Sequence, residues 1–146
     1  MASTFYADSD APIVYLDAKK HFDLLPSVNA KRYAYLLSRS SHWGTRAVLR
    51  SVSPESEDIY NLILNIHKKL DQPATNEDYA SKLSSVDATS VTHYLEYASQ
   101  FLSNLGNFKS FGDKKFIPRL PETEFAKLIE AVSDNEISEA YNKIKG

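Results

Sequence analysis

The chain contains no cysteine. That excludes disulfides, thiolate zinc sites, iron–sulfur ligation and a cysteine nucleophile, and it fits a reducing compartment. An excess of basic charge is missing too. The 17 Lys and Arg stand against 19 Asp and Glu, and a formal net charge of −2 gives no global positive field for nucleic acid. No apolar run approaches the roughly 20 residues needed to cross a bilayer. The first residues, MASTFYADSDAPIVYL, lack the basic segment followed by an apolar one that marks a secretory signal. The expectation is a soluble cytoplasmic protein, without membrane or nucleic-acid partners. Glycine is scarce as well, with 4 in 146 residues. Two of them bracket the stretch GNFKSFGD, residues 106–113.

What remains is an ordinary globular composition, 42 % apolar and 25 % charged. Its length suits a single domain, residues 1–146. Residues 1–15 read as an extended arm. Asp17 caps a short helix that Pro26 closes. A helix from Ser27 carries Tyr33, Leu36 and Leu37 on one stripe and either continues to Ser51 or breaks near Gly44. Ser40, Ser41, Gly44 and Ala47 are spaced to let another helix approach. Ser53-Pro54-Glu55 reads as a helix start, followed by Ile59, Leu62, Ile63, Ile66 and Leu70 on the core side. A polar loop covers about 71–88, with at most a short helix from Asn76 to Leu83. The next helix, from Thr89 to Leu105, should bury Val91, Tyr94, Leu95, Ala98, Phe101, Leu102 and Leu105. Gly106 stops it, in a left-handed position that glycine adopts without a Cβ clash. Phe116-Ile117 is a candidate short strand. A helix from Pro121 buries Phe125, Leu128, Ile129 and Val132, and Ser133 with Glu136 forms a capping box for the last one. The expected fold is mainly α, a compact bundle of about six helices with little or no sheet.

Local catalytic motifs are absent. His21, His42, His67 and His93 are followed by Phe, Trp, Lys and Tyr, so the metallopeptidase pair with an adjacent glutamate is missing. His93 and Glu96 share a helix face, but two ligands make no site. No Gly-x-Ser-x-Gly elbow occurs, and the paired acids Glu55/Glu57 and Glu122/Glu124 suit the first turns of helices. The residues therefore predict no catalytic and no metal-binding group. GNFKSFGD lacks the Gly-Lys-Ser/Thr of a phosphate loop. Phe108, Lys109, Phe111, Lys114, Lys115, Phe116 and Arg119 interleave aromatics with cations, as a single-strand binding groove does. Asp113 interrupts that patch, in a net acidic chain. A helix end followed by a tight turn accounts for Gly106. A second glycine so close implies another unusual angle or a near approach, which suits the rim of a peptide site.

The run from Tyr97 to Pro118, YASQFLSNLGNFKSFGDKKFIP, resembles a segment near the N-terminus of the dipeptidyl peptidase III family. So do Tyr33–Arg39, Ser53–Tyr60 and, most like fungal members, Phe5–Pro12. The resemblance spans residues 5 to about 132. It implies a cytosolic zinc exopeptidase with two lobes, which removes dipeptides from the N-termini of short peptides. In that family a His-Glu-x-x-x-His motif and a further glutamate hold the zinc in the upper lobe. This chain has neither motif, so the resemblance implies only the first piece of the lower lobe, with no zinc ligands and no activity alone. Carried over residue by residue, Ser110, Phe111 and Gly112 would line the substrate cleft, while Gly106, Asn107, Lys109 and Asp113 would shape the loop. A severed lobe should also expose an apolar face, through which it could self-associate. The competing reading is a standalone helical interaction module without activity.

Overall fold

The computed structural model describes residues 5–10, 14, 17–71, 79–109 and 114–145. Its core is made by four amphipathic helices. Helix α4 (Ser56–Leu70) buries Leu62, Ile63, Ile66 and Leu70 along one stripe. Helix α6 (Ala88–Asn104), α7 (Glu122–Val132) and α8 (Asn135–Ile144) close around it. Helix α7 buries Phe125, Leu128, Ile129 and Val132 as its periodicity predicts. On α6 Val91, Tyr94, Ala98 and Phe101 are buried as expected, and the face differs at its edge. Tyr97 is buried, whereas Leu95 and Leu102 lie at the edge of exposure. The reason is aromatic packing. Tyr97 meets Phe116 edge-on with centroids 5.8 Å apart, Tyr94 does the same with Phe125, and Phe125 stacks on Tyr141 at 5.1 Å.

The other helices are α1 (Ala18–Asp23), α2 (Val28–Trp43), α3 (Thr45–Val52) and the short α5 (Tyr79–Lys82). Asp17 and Ser27 cap α1 and α2 through hydrogen bonds to the amides of Lys20 and Ala30. The chain breaks at Gly44, and α3 then turns Leu49 into the core. Arg46 and Arg50 of α3 both bond Glu57 of α4, at 2.9 and 2.6 Å. Helix α2 behaves differently. None of its residues is buried, and the Tyr33/Leu36/Leu37 stripe faces away from the body. Ser40 and Ser41, expected to let another helix approach, are exposed.

Two start signals act otherwise than expected. Ser53 ends α3 in extended backbone, and the helical run resumes only at Ser56. Ser133 is the left-handed end of α7 (φ +54°), and Asp134 caps α8 by accepting from the amides of Glu136 and Ile137. Asp134 Oδ1 takes both amides while Oδ2 faces Lys69, so the cap sits one residue after the expected capping box at Ser133. Among the described residues there are eight helical segments, and the β pairing consists of two isolated bridges, Tyr6 with Ile117, parallel, and Phe108 with Lys115, antiparallel. The fold is thus mainly α. It has more helices than the expected six because the second breaks at Gly44 and α5 is separate.

Candidate functional site

The end of α6 makes a corner. Leu105 (φ +50°, ψ +49°) is its left-handed residue, one position earlier than the sequence suggests. Gly106 follows at φ +150°, in a region that side chains rarely adopt. A Cβ built there would lie 2.6 Å from Val52 Cγ1 at the end of α3. The glycine is therefore required twice, by its own backbone angle and by the near approach of α3.

The corner delivers Asn107 into the interior, where it is 2 % exposed. Its side-chain oxygen accepts from Ser53 Oγ at 3.0 Å and Ser56 Oγ at 3.2 Å. Its amide nitrogen donates to Glu55 Oε1 at 2.9 Å. Its carbonyl accepts from the Phe116 amide at 2.8 Å. Lys115 also donates to Glu55 Oε1. That bond, set against partial desolvation and helped by Asn107, holds the Glu55 carboxyl down at about 2. The same charge, together with the larger effect of burial, pushes the Tyr97 hydroxyl up. Ser53, Glu55 and Asn107 thus form a clasp joining the α3–α4 turn to the segment after α6.

From the clasp two extended segments run side by side. Phe116 N–H donates to Asn107 O, and Lys109 N–H donates to Lys114 O at 2.9 Å, so residues 107–109 pair with 114–116. The N-terminal arm is laid along the far edge. Ala7 N–H donates to Ile117 O at 2.9 Å, and Ile117 N–H donates to Phe5 O at 2.8 Å. Lys109 Nζ lies 2.8 Å from both Asp8 carboxylate oxygens. Gln100 of α6 bonds the Asp8 backbone in both directions. Arg119 donates to Ala7 O and lies over the Tyr6 ring.

Of the residues expected to shape this loop, Gly106, Asn107 and Lys109 therefore lie in the corner, the clasp and the paired segment. Ser110, Phe111, Gly112 and Asp113 fall outside the described residues. Of the described residues of the aromatic–cation interleave, Phe116 is buried, Lys115 is paired with Glu55 and Lys109 with Asp8. Sequence reasoning missed Glu55 and the two serines, which read as an ordinary helix start, because their partners lie more than 50 residues away. It also missed a cavity of about 600 Å³ behind the paired segments, walled by Tyr97, Phe116, Phe125 and Tyr141 with Glu55 and Lys115 among its polar groups.

Metal chemistry finds no donor set here. Among the described residues no three His, Asp or Glu side chains come close enough to hold an ion. The zinc that the family resemblance implies finds no fitting donor set among the described side chains. Nor is any described helix long and apolar enough to cross a membrane.

No family model matches the chain. Individual proteins do. It is 32 % identical over 141 residues to dipeptidyl peptidase 3 of Dictyostelium discoideum, covering 92 % of this chain and 18 % of that protein. Against human dipeptidyl peptidase 3 it is 35 % identical over 130 residues, covering 88 % and 17 %. The Nematostella vectensis dipeptidyl peptidase 3 is 31 % identical over 121 residues, 83 % of this chain and 16 % of its own length. The matches cover 83–92 % of this chain at 31–35 % identity. By sequence the chain belongs to the dipeptidyl peptidase III family, and it spans about one-sixth of the length of the relatives it matches.

Proposed function

We propose that this chain is an early piece of the substrate-binding lobe of a dipeptidyl peptidase III-type zinc exopeptidase, which releases dipeptides from the N-termini of oligopeptides in the cytoplasm. In this reading the chain supplies part of the peptide cleft and no catalytic group. Residues 110–112 form the rim: Phe111 offers an apolar wall to a substrate side chain, and Ser110 with the Gly112 backbone offers hydrogen bonds to an extended peptide. Zinc and its ligands belong to other parts of such a protein. The observation that carries the reading is the similarity over nine-tenths of the chain to enzymes of one name. The local geometry supports it, since residues 109 and 114 are held at hydrogen-bonding distance on a clasped base, and rigid scaffolds commonly present binding loops in this way.

The test is a graft. This chain replaces the matched stretch of the Dictyostelium enzyme, and hydrolysis of a dipeptidyl chromogenic substrate is measured. The grafted protein should hydrolyse the substrate in a zinc-dependent manner, and the chain alone should give no rate above blank. Turnover by the chain alone would overturn the reading. So would a folded graft that carries its zinc and has no activity.

A further inference from the structure

Among the described residues, helix α2 is the long helix left outside the core, touching α3 at its end and Phe22 of α1 through Lys31. It has 16 residues and buries none of them. Tyr33 is 68 % exposed, Trp43 81 %, and Leu36 and Leu37 just over half. Positions 29, 33, 36, 40 and 43 recur at spacings of four and three, so Tyr33, Leu36 and Trp43 stand along one seam with Leu37 beside it. A large exposed apolar stripe of this kind marks an interaction surface rather than a solvated helix.

The charges around the stripe say what it should meet. Helix α2 carries Lys31, Arg32 and Arg39 and no acidic residue. Residues 17–52 hold seven Lys and Arg against two Asp and Glu, a local +5 in a chain that is −2 overall. Two copies of α2 laid together would set cations beside cations, and like charges across an interface are costly. A second copy is thereby disfavoured as the occupant. The relatives extend far beyond what this chain spans, which is 16–18 % of their length.

We infer that the Tyr33/Leu36/Leu37/Trp43 face of α2 is an interdomain docking surface. Its occupant is an apolar, carboxylate-rimmed surface in the part of a dipeptidyl peptidase III-type protein that this chain does not span. The inference rests on the family relationship and is independent of whether residues 110–112 bind peptide.

Hydrogen exchange on the grafted protein tests it. Amides of residues 32–43 should exchange at least about a hundredfold more slowly in the graft than in the isolated chain, while α4 and α6 are protected alike in both. Leu36→Glu with Trp43→Ser should abolish that difference and leave the melting temperature of the isolated chain unchanged. Equal α2 exchange in both proteins overturns the inference. So does a marked fall in the melting temperature of the isolated variant, because the face would then be packed within this chain. A concentration-dependent dimer of the chain that the double variant dissolves would make a second copy the occupant, and protection gained only on phosphatidylserine vesicles would make it a membrane. Either outcome contradicts the inference. Should the graft fail to protect α4, the chain mixed with the Dictyostelium protein lacking its matched stretch replaces it, and absence of α2 protection there counts against the inference. An inactive graft with a protected α2 would defeat the peptidase reading and leave this one standing.

Discussion

Gly106 tolerates no side chain for two separable reasons, its positive φ and the Val52 methyl 2.6 Å from where a Cβ would sit. Gly106→Ala should therefore destabilise the chain by about 2–3 kcal/mol in chemical denaturation, more than backbone preference alone would cost. Adding Val52→Ala should recover only part of the loss, since the backbone angle stays. Asn107 is the other residue on which the corner depends. Truncation to Ala would leave two hydroxyls and a carboxylate short of a partner, and should cost about 2–3 kcal/mol. Glu55 gives that clasp a pH dependence. Its carboxyl titrates at about 2 in the folded chain, against 4.5 unperturbed. A depressed folded value means the stabilisation is fully present above the unfolded value and is lost as pH falls through the folded one. Glu55→Gln should thus lower stability by about 1–2 kcal/mol near neutrality, allowing for solvent screening, with the gap from the parent closing between about pH 5 and pH 2. Urea titrations at several pH values would show it. A gap that is constant across that range would mean that the carboxylate charge does not matter.

At the level of elements, two helices end in left-handed residues that are not glycine, Leu105 and Ser133. Ser133 is exposed, so Ser133→Gly should relieve strain at little other cost. It should raise stability by about 0.5–1 kcal/mol, seen as a rise of about 1–4 °C in melting temperature. These ends also mark where sequence reading stops. The stripes of α4 and α7 are legible because a half-buried helix repeats its apolar residues every three to four positions. On α6 the pattern finds Val91, Tyr94, Ala98 and Phe101 but not Tyr97, which an aromatic from a distant segment, Phe116, draws inward. The glycine signal at 106 was readable as a demand on the backbone, but its position as the left-handed residue was not, since Leu105 takes that conformation instead. The Asn107 clasp was invisible in sequence for a simpler reason: its hydrogen-bond partners at the α3–α4 turn are 51 to 54 residues away.

The whole molecule separates by charge and by burial. Residues 53–145 hold most of the core and are net acidic, whereas the α1–α3 layer is basic and leaves α2 uncovered. A periodic stripe in sequence says that a helix has a partner. It does not say whether that partner lies in the same chain: Tyr33, Leu36 and Leu37 form such a stripe and are exposed here. The sharpest test of the peptide-cleft account is steady-state kinetics of the grafted Dictyostelium enzyme with and without Phe111→Ala. The account predicts a KM for an oligopeptide substrate raised by about tenfold, the effect of losing one apolar wall, with kcat changed little. An unchanged KM in a folded, zinc-loaded graft would contradict it.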